Sequence, residues 1–479
     1  MTNQVSEVPE RHEANTEAPT PDSEQPVPGT RDRWAARGLW SRWRPLLLRL
    51  HFYGGMFAGP FILIAAVTGL LYTLTPQLDG IVFRNELTVD EYAPQARSLA
   101  DQIAAARTVY PEAPITSVKP PTVASETTQI AFTTDDAPPD YTRTVFVNPY
   151  TAQVQGTLTT YGMWLPIRSW FDEMHRNLHL GEAGRYYSEV AASWLSVVAL
   201  GGLAMWISRN RRHGRKRLIL PDRHRTPKGS RTRILSWHGT VGIWIVVGLL
   251  GLSITGLTWS RFAGDHIAQL RSELSWTTPS VTTTLPHTDG TTGAPGDPAA
   301  SADTVLHSAQ AAGLQPPMWM KPPAAPGDAW EVYERKRDAP TRFDAVAVDA
   351  ATGAITDQSR FADWPLTAKL TGWAIDTHMG VLFGLPNQIV LALLALGLIT
   401  VIVRGYRMWW KRRPTRSGLP TAPERGALTG LRPIEAAIAV AVLAAVGWLA
   451  PLFGATLGAF VLGDVIAGAI ARRRKRIAS

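Results

Sequence analysis

The sequence predicts an α-helical integral membrane protein: a four-helix core bundle of two parallel repeats, a C-terminal helical hairpin, and two extracytoplasmic α+β modules. Three observations predict it. Charged residues make up 18% of the 479, yet Phe52–Leu78, Val190–Ser208, Ile234–Ser260, Met379–Val403 and Ala436–Gly463 hold essentially none. A run of about 18 or more uncharged apolar residues can cross a ~30 Å hydrocarbon core as a helix. The basic residues are also unevenly placed: 31 of the 48 Lys and Arg fall in the parts that six crossings and a cytoplasmic N-terminus keep inside, as the positive-inside rule requires. Finally, the chain repeats itself at fixed offsets.

In chain order, residues 1–41 read as a disordered cytoplasmic tail, rich in Pro, Glu and Thr and lacking an apolar face. Residues 42–75 form the first crossing and 76–169 the first outer module. Its helix is expected at Ser98–Val109 and its strands at Ile115–Val118, Thr128–Thr133 and Thr144–Val154. Residues 170–208 make the second crossing, 209–233 a basic cytoplasmic loop and 234–260 the third crossing. The second module, 261–372, begins with a Thr/Pro/Gly-rich linker at Thr277–Ala300. Its helix is expected at Asp303–Ala312, with strands at Met318–Lys321, Ala329–Glu334 and Phe343–Ile355. Residues 373–411 supply the fourth crossing and 412–432 a cytoplasmic loop. One helix over Ala436–Ile470 would be about 52 Å long, so 433–471 is expected to turn near Pro451–Gly454 as two short crossings. A basic cytoplasmic tail, 472–479, ends the chain in a multi-pass protein of the cell (plasma or inner) membrane.

Composition removes several classes of function. The charge of +9 follows from topology, so nucleic acid is not an expected partner and the lipid bilayer is. With no cysteine there is no disulfide, iron–sulfur cluster, thiolate zinc site or C-x-x-C-H haem attachment. No G-x-G-x-x-G follows a strand, so electrons for any redox reaction come from a quinol or a separate reductase.

The repeat can be counted. His51, Gly55 and Thr68-Gly69-Leu70 return as His238, Gly242 and Thr255-Gly256-Leu257, an offset of 187. Val145, Val147, Asn148, Thr151 and Val154 return as Val346, Val348, Asp349, Thr352 and Ile355, an offset of 201. Trp170, His175, Gly181 and Met205-Trp206 return as Trp373, His378, Gly384 and Met408-Trp409, an offset of 203. Copies separated by an even number of crossings run the same way through the membrane and are related by a pseudo-twofold axis along its normal. His51 should therefore face His238 near the inner surface, and His175 should face His378 near the outer one.

Intramembrane ionisable groups are costly and mark function. Two imidazoles opposed across a bundle suit haem iron, whose other four ligands come from the porphyrin, whereas zinc wants three or four protein ligands. Gly54, Gly55, Gly59, Gly239 and Gly242 leave room for a flat macrocycle, and close helix packing predicts them equally well. His179 lies one helical turn after His175 and is an alternative ligand if the helix is unbroken. Its repeat mate is Leu382, which favours His175. Arg44, Arg49 and Arg233 near the inner pair, and Arg176 and Arg185 near the outer pair, are candidates for haem propionates. Trp170, Trp373, Trp206, Trp409, Trp237 and Trp259 read as interfacial anchors. Glu173 and Asp376 turn away from the histidines that follow them and have no assigned role.

His-x3-Gly-x12-Thr-Gly-Leu, Leu178–Gly181 with Gly184-Arg185, His378-x5-Gly384, Met408-Trp409 with trailing basic residues, and the Val-x-Val-Asn/Asp-x-x-Thr strands together resemble the PepSY-associated transmembrane family over roughly Arg42–Arg413. That family includes dihaem b-type reductases releasing iron from ferric siderophores. The resemblance implies two haem b groups, bis-His ligated by His51 with His238 and His175 with His378, and an outer ferric siderophore or similar iron complex as acceptor. It leaves a second reading: a haem-free anchor whose PepSY modules bind or regulate a peptidase. The C-terminal hairpin lies outside the pattern.

Overall fold

The computed structural model describes residues 38–211, 214–222, 227–285, 296–412, 423 and 430–478. Nearly all of the expected N-terminal tail, the middle of the Thr/Pro/Gly linker and most of the 412–432 loop lie outside these. Among the described residues, four helices are long and apolar enough to cross a membrane: α6 (Gly181–Asn210), α7 (Arg231–Leu257), α10 (Leu385–Trp410) and the first 20 residues of α12 (Pro451–Ala478). A fifth span is a bent pair, α1 (Leu39–Phe57) and α2 (Gly59–Tyr72), meeting at 60°.

That bend replaces the single helix expected over 42–75, and its cause is local. Pro60 has no N–H for the Met56 carbonyl one turn earlier. The hydroxyl of Tyr406, on α10, donates to that carbonyl instead, at 3.0 Å. Gly59 makes room for it: an added Cβ would come within 2.8 Å of the Tyr406 hydroxyl.

The bundle closes as a ring in which α7 packs on α6 and α10, α1 on α6, and α2 on α10. Small residues set its spacing. A Cβ at Gly54 would lie 2.7 Å from Trp194 and Val198, one at Gly239 2.2 Å from the Trp206 ring, and one at Gly248 2.6 Å from Leu394. The hairpin, α11 (Pro433–Leu449) and α12, turns at Ala450–Pro451. At 17 residues and about 26 Å, α11 is shorter than the other crossings. Residues 472–478, expected as a tail, continue α12. The hairpin docks on α1 and α6 through the buried Arg42–Glu435 ion pair at 2.6 Å, Arg49–Asp464 at 2.8 Å, and Trp194 Nε1 donating to Thr456 at 2.9 Å.

Two further corrections concern the outer layer. The expected single runs Thr144–Val154 and Phe343–Ile355 are each a strand, a tight turn and the next strand: β3 (Thr142–Val147) with β4 (Val154–Thr160), and β7 (Ala345–Val348) with β8 (Ile355–Ser359). The repeated Asn/Asp-x-x-Thr makes the turn. Asn148 Oδ1 accepts from the amides of Tyr150 and Thr151, while Asp349 accepts from the Ala351 amide and the Thr352 hydroxyl.

The two modules are also not separate. With β1 (Ile115–Lys119), β2 (Thr128–Phe132), β5 (Met318–Lys321) and β6 (Trp330–Glu334), they form one eight-stranded antiparallel sheet, ordered β4-β3-β2-β1-β5-β6-β7-β8. The seam is β1 on β5, Val118 opposite Met320, so each copy covers the other's open edge. Helices α4 (Leu99–Arg107) and α8 (Pro298–Ala311) lie together over one face, in one continuous core. Asp303 on α8 accepts from the Leu99 and Ala100 amides, capping α4 across the seam. Met320 is fully buried at this seam. Met320→Ala should cost about 2–5 kcal/mol, and because the core is shared, limited proteolysis should open both modules in parallel. Cleavage of the second module with the first intact would deny the shared core.

Candidate functional site

His51 on α1 and His238 on α7 meet inside the bundle, their ring centres 6.1 Å apart and their planes at 86°. His51 Nδ1 lies 2.8 Å from the Val198 carbonyl on α6, and His238 Nδ1 lies 2.9 Å from the Val401 carbonyl on α10. A carbonyl can only accept, so each Nδ1 carries the proton and each Nε2 keeps its lone pair. Each ring lies against a glycine: Cβ atoms at Gly202 and Gly405 would approach His51 and His238 Cε1 to 2.9 and 3.7 Å. The carbonyls and the glycines are themselves repeat mates at offset 203.

The pair lines a cavity of about 600 Å³, within the range of cofactor sites. Its walls sort the glycines whose role the sequence left open. A Cβ added at Gly54, Gly59 or Gly239 would meet a side chain of a neighbouring helix, whereas Gly55 and Gly242 line the cavity with nothing within 4 Å of an added Cβ. Four arginines line it as well: Arg44 and Arg231, Arg209 and Arg412. None of the four forms an ion pair among the described residues. Of the expected cations only Arg44 is here. Arg49 binds Asp464 and the Pro423 carbonyl, and Arg233 is not part of the lining. Sequence reading missed Arg231, Arg209 and Arg412, although the offsets carry them: 187 relates Arg44 to Arg231 and 203 relates Arg209 to Arg412.

The outer pair is built differently. His175 lies in the last turn of α5 (Pro166–Asn177) and His378 ends α9 (Leu366–His378). Thr68, on α2, lies 2.9 Å from His175 Nδ1, and Thr255, on α7, lies 2.5 Å from His378 Nδ1. Both hydroxyls donate to their own helix, to the carbonyls of Ile64 and Gly251, so they accept from the imidazoles. These rings too keep Nε2 unprotonated. Gly69 and Gly256 face the two rings, with Cβ-to-Cε1 distances of 3.2 and 3.9 Å. The repeated Thr-Gly thus holds and admits the outer histidine of its own copy. His175 and His378 occupy matching positions in the two copies, at offset 203. From His238 to Thr255 is 17 residues of α7, about 26 Å, so the pairs lie at opposite sides of the bundle.

An unbroken helix would have put His179 beside His175, and the helix breaks. Leu178 and His179 take left-handed conformations, α6 starts at Gly181, and His179 is exposed, paired with Glu173 at 3.2 Å. Gly181 and its mate Gly384 both have positive φ, 58° and 57°, where glycine is unstrained. Glu173 is thereby accounted for, as is Asp376, whose carboxylate accepts from Arg337 at 2.6 Å and ties the sheet layer to α9. Burial raises the Asp376 carboxyl, opposed by Arg337. Arg176 lies over Tyr161, and Arg185 binds Glu182 and the Trp259 carbonyl. Two tryptophans depart from an anchor role: Trp206 is buried, and Trp259 meets the His378 ring edge-on at 5.5 Å.

A sequence profile of the PepSY-associated TM region matches residues 48–412. The chain belongs to the PepSY-associated transmembrane family. The match takes in both histidine pairs and the sheet, and stops before the hairpin. A search of curated proteins finds no match. Among the described residues of this family member, no three His, Asp or Glu converge as a site for a bare metal ion.

Asp79, on α3 (Thr75–Val82), accepts from the Ile167 and Arg168 amides at 3.2 and 3.3 Å, capping the helix that carries His175. Burial pushes its carboxyl up from 3.8 to about 6, against the pull of those amides and of Arg168. A raised carboxyl favours the folded state below its unfolded pKa and loses that contribution as pH rises through the folded one. Thermal unfolding in detergent should therefore show stability falling between about pH 4 and 6, and Asp79→Asn, which still accepts, should flatten that slope. An unchanged slope would mean another group titrates.

Proposed function

We propose that this protein is a membrane dihaem b-type cytochrome carrying electrons from a cytoplasmic-side donor to a ferric siderophore or similar iron complex on the outer side. One observation carries the reading. All four imidazoles commit Nδ1–H to an acceptor within their own copy and keep Nε2 unprotonated, and His51 and His238 line the cavity. That is how a protein orients a histidine that ligates metal. Two nitrogens each about 2 Å from one metal put the ring centres roughly 6 Å apart, and the inner rings are 6.1 Å apart. The cavity, the open faces of Gly55 and Gly242, and the four arginines fit a flat macrocycle with acidic substituents.

His51 and His238 would hold the inner haem, and His175 and His378 the outer one. Haem supplies reversible one-electron transfer. The chain's own residues fix the imidazole orientation and line the cavity mostly with apolar side chains, and the four arginines would neutralise the carboxylates of a bound haem. Reduction releases iron because siderophore oxygens hold hard Fe(III) far better than Fe(II).

Substitution tests pairing and direction together. His51→Ala and His238→Ala should each remove the same haem, about half of the total, and the double variant little more, because a shared site is non-additive. His175→Ala and His378→Ala should converge on the other. Loss of the outer haem should leave the inner one reducible by the donor and abolish reduction of the iron complex, whereas His179→Ala should change neither. Four single variants that retain both haems would show the histidines to be structural.

A further inference from the structure

The hairpin lies beyond the family match, yet it builds a second cavity in the bundle wall. A groove of about 510 Å³ lies between α1, α2, α6 and α12, lined among others by Tyr53, Phe57, Trp194, Phe460 and Asp464. We propose that it binds a membrane quinol that donates electrons to the inner histidine pair. The proposal rests on the electron-transfer reading above and names its donor.

Four features carry it. The groove is apolar and aromatic: Tyr53 meets Phe460 at 4.2 Å, and Phe57 lies 6.3 Å from Phe460 at a tilt of 47°, giving aromatic faces and edges for a flat head group to pack against. Phe57 and Phe61 are exposed on the outside of the bundle, where an isoprenoid tail leaves for lipid. Polar chemistry is confined mainly to one end, where Arg49 holds the Asp464 carboxylate at 2.8 Å. A quinol hydroxyl can donate to that carboxylate. Lastly, α1 lines both the groove and the inner cavity. His51 and Gly55 face one side, Tyr53 and Phe57 the other. That helix is about 10 Å across.

The step balances. One quinol becomes one quinone and gives up two electrons and two protons. The electrons pass singly to the inner site and onward to reduce two Fe(III) of the outer iron complex to Fe(II). The hydroxyl protons leave through Asp464 to inner-side water.

A photoreactive azido-ubiquinone, applied to the full-length protein in haem-free and haem-replete form, tests the site. Label should fall on the α12 peptide containing Phe460 and Asp464 in both forms. Gly463→Leu fills the groove, and its new Cβ meets nothing within 4 Å, so the fold should persist. It should cut labelling at least tenfold while leaving dithionite-driven haem reduction unchanged. Asp464→Asn should retain label and slow haem reduction by decylubiquinol at least tenfold. Labelling unaffected by Gly463→Leu, or a phospholipid that excess probe fails to displace, would overturn the proposal. Labelling of a protein that takes up no haem would instead sink the electron-transfer reading while the groove stood.

Discussion

Each histidine in the bundle spends its Nδ1 proton on an oxygen of its own copy, and the site depends on that hydrogen bond. The acceptor decides the tautomer, the tautomer leaves Nε2 unprotonated, and His51 and His238 meet in a cavity shared by the two copies. Orientation is thus internal to a copy while pairing happens between copies. An imidazole in hydrocarbon without such a partner would be costly and free to turn. With the Val198 or Val401 carbonyl behind it, it is fixed.

The rest of the architecture serves that geometry. Glycines 202, 405, 69 and 256 lie against the rings, and Gly54 and Gly239 draw the helices in around them. The bend at Pro60 turns α2 so that Thr68 reaches His175, and Tyr406 satisfies the carbonyl the bend releases. Above the bundle the fused sheet ties the copies together a second time, with Asp303 capping the other copy's helix and Arg337 anchoring the layer to α9.

How much of this was legible in the sequence depends on whether a feature is local or paired in space. The crossings and the matched histidines are visible because apolar length and fixed offsets survive in one dimension. The Asn148 and Asp349 turns are written in the motif, yet alternation alone predicts continuous strand there, because it does not register the side-chain cap. Arg231, Arg209 and Arg412 were hidden by their setting: inner-side arginine is so common that only the offsets single them out. The β1–β5 seam, the carbonyls facing His51 and His238, and the loss of His179 from its helix depend on contacts between distant segments or on a break with no proline to announce it. The hairpin's role was unreadable from the repeat, since it has no second copy.

The central claim is that two matched imidazole pairs hold two haems. A visible absorption spectrum of the purified protein from haem-replete cells, taken oxidised and dithionite-reduced with haem counted per chain, tests it most directly. Low-spin b-type bands with about two haems per chain are predicted by two bis-histidine sites. A colourless preparation would contradict the account.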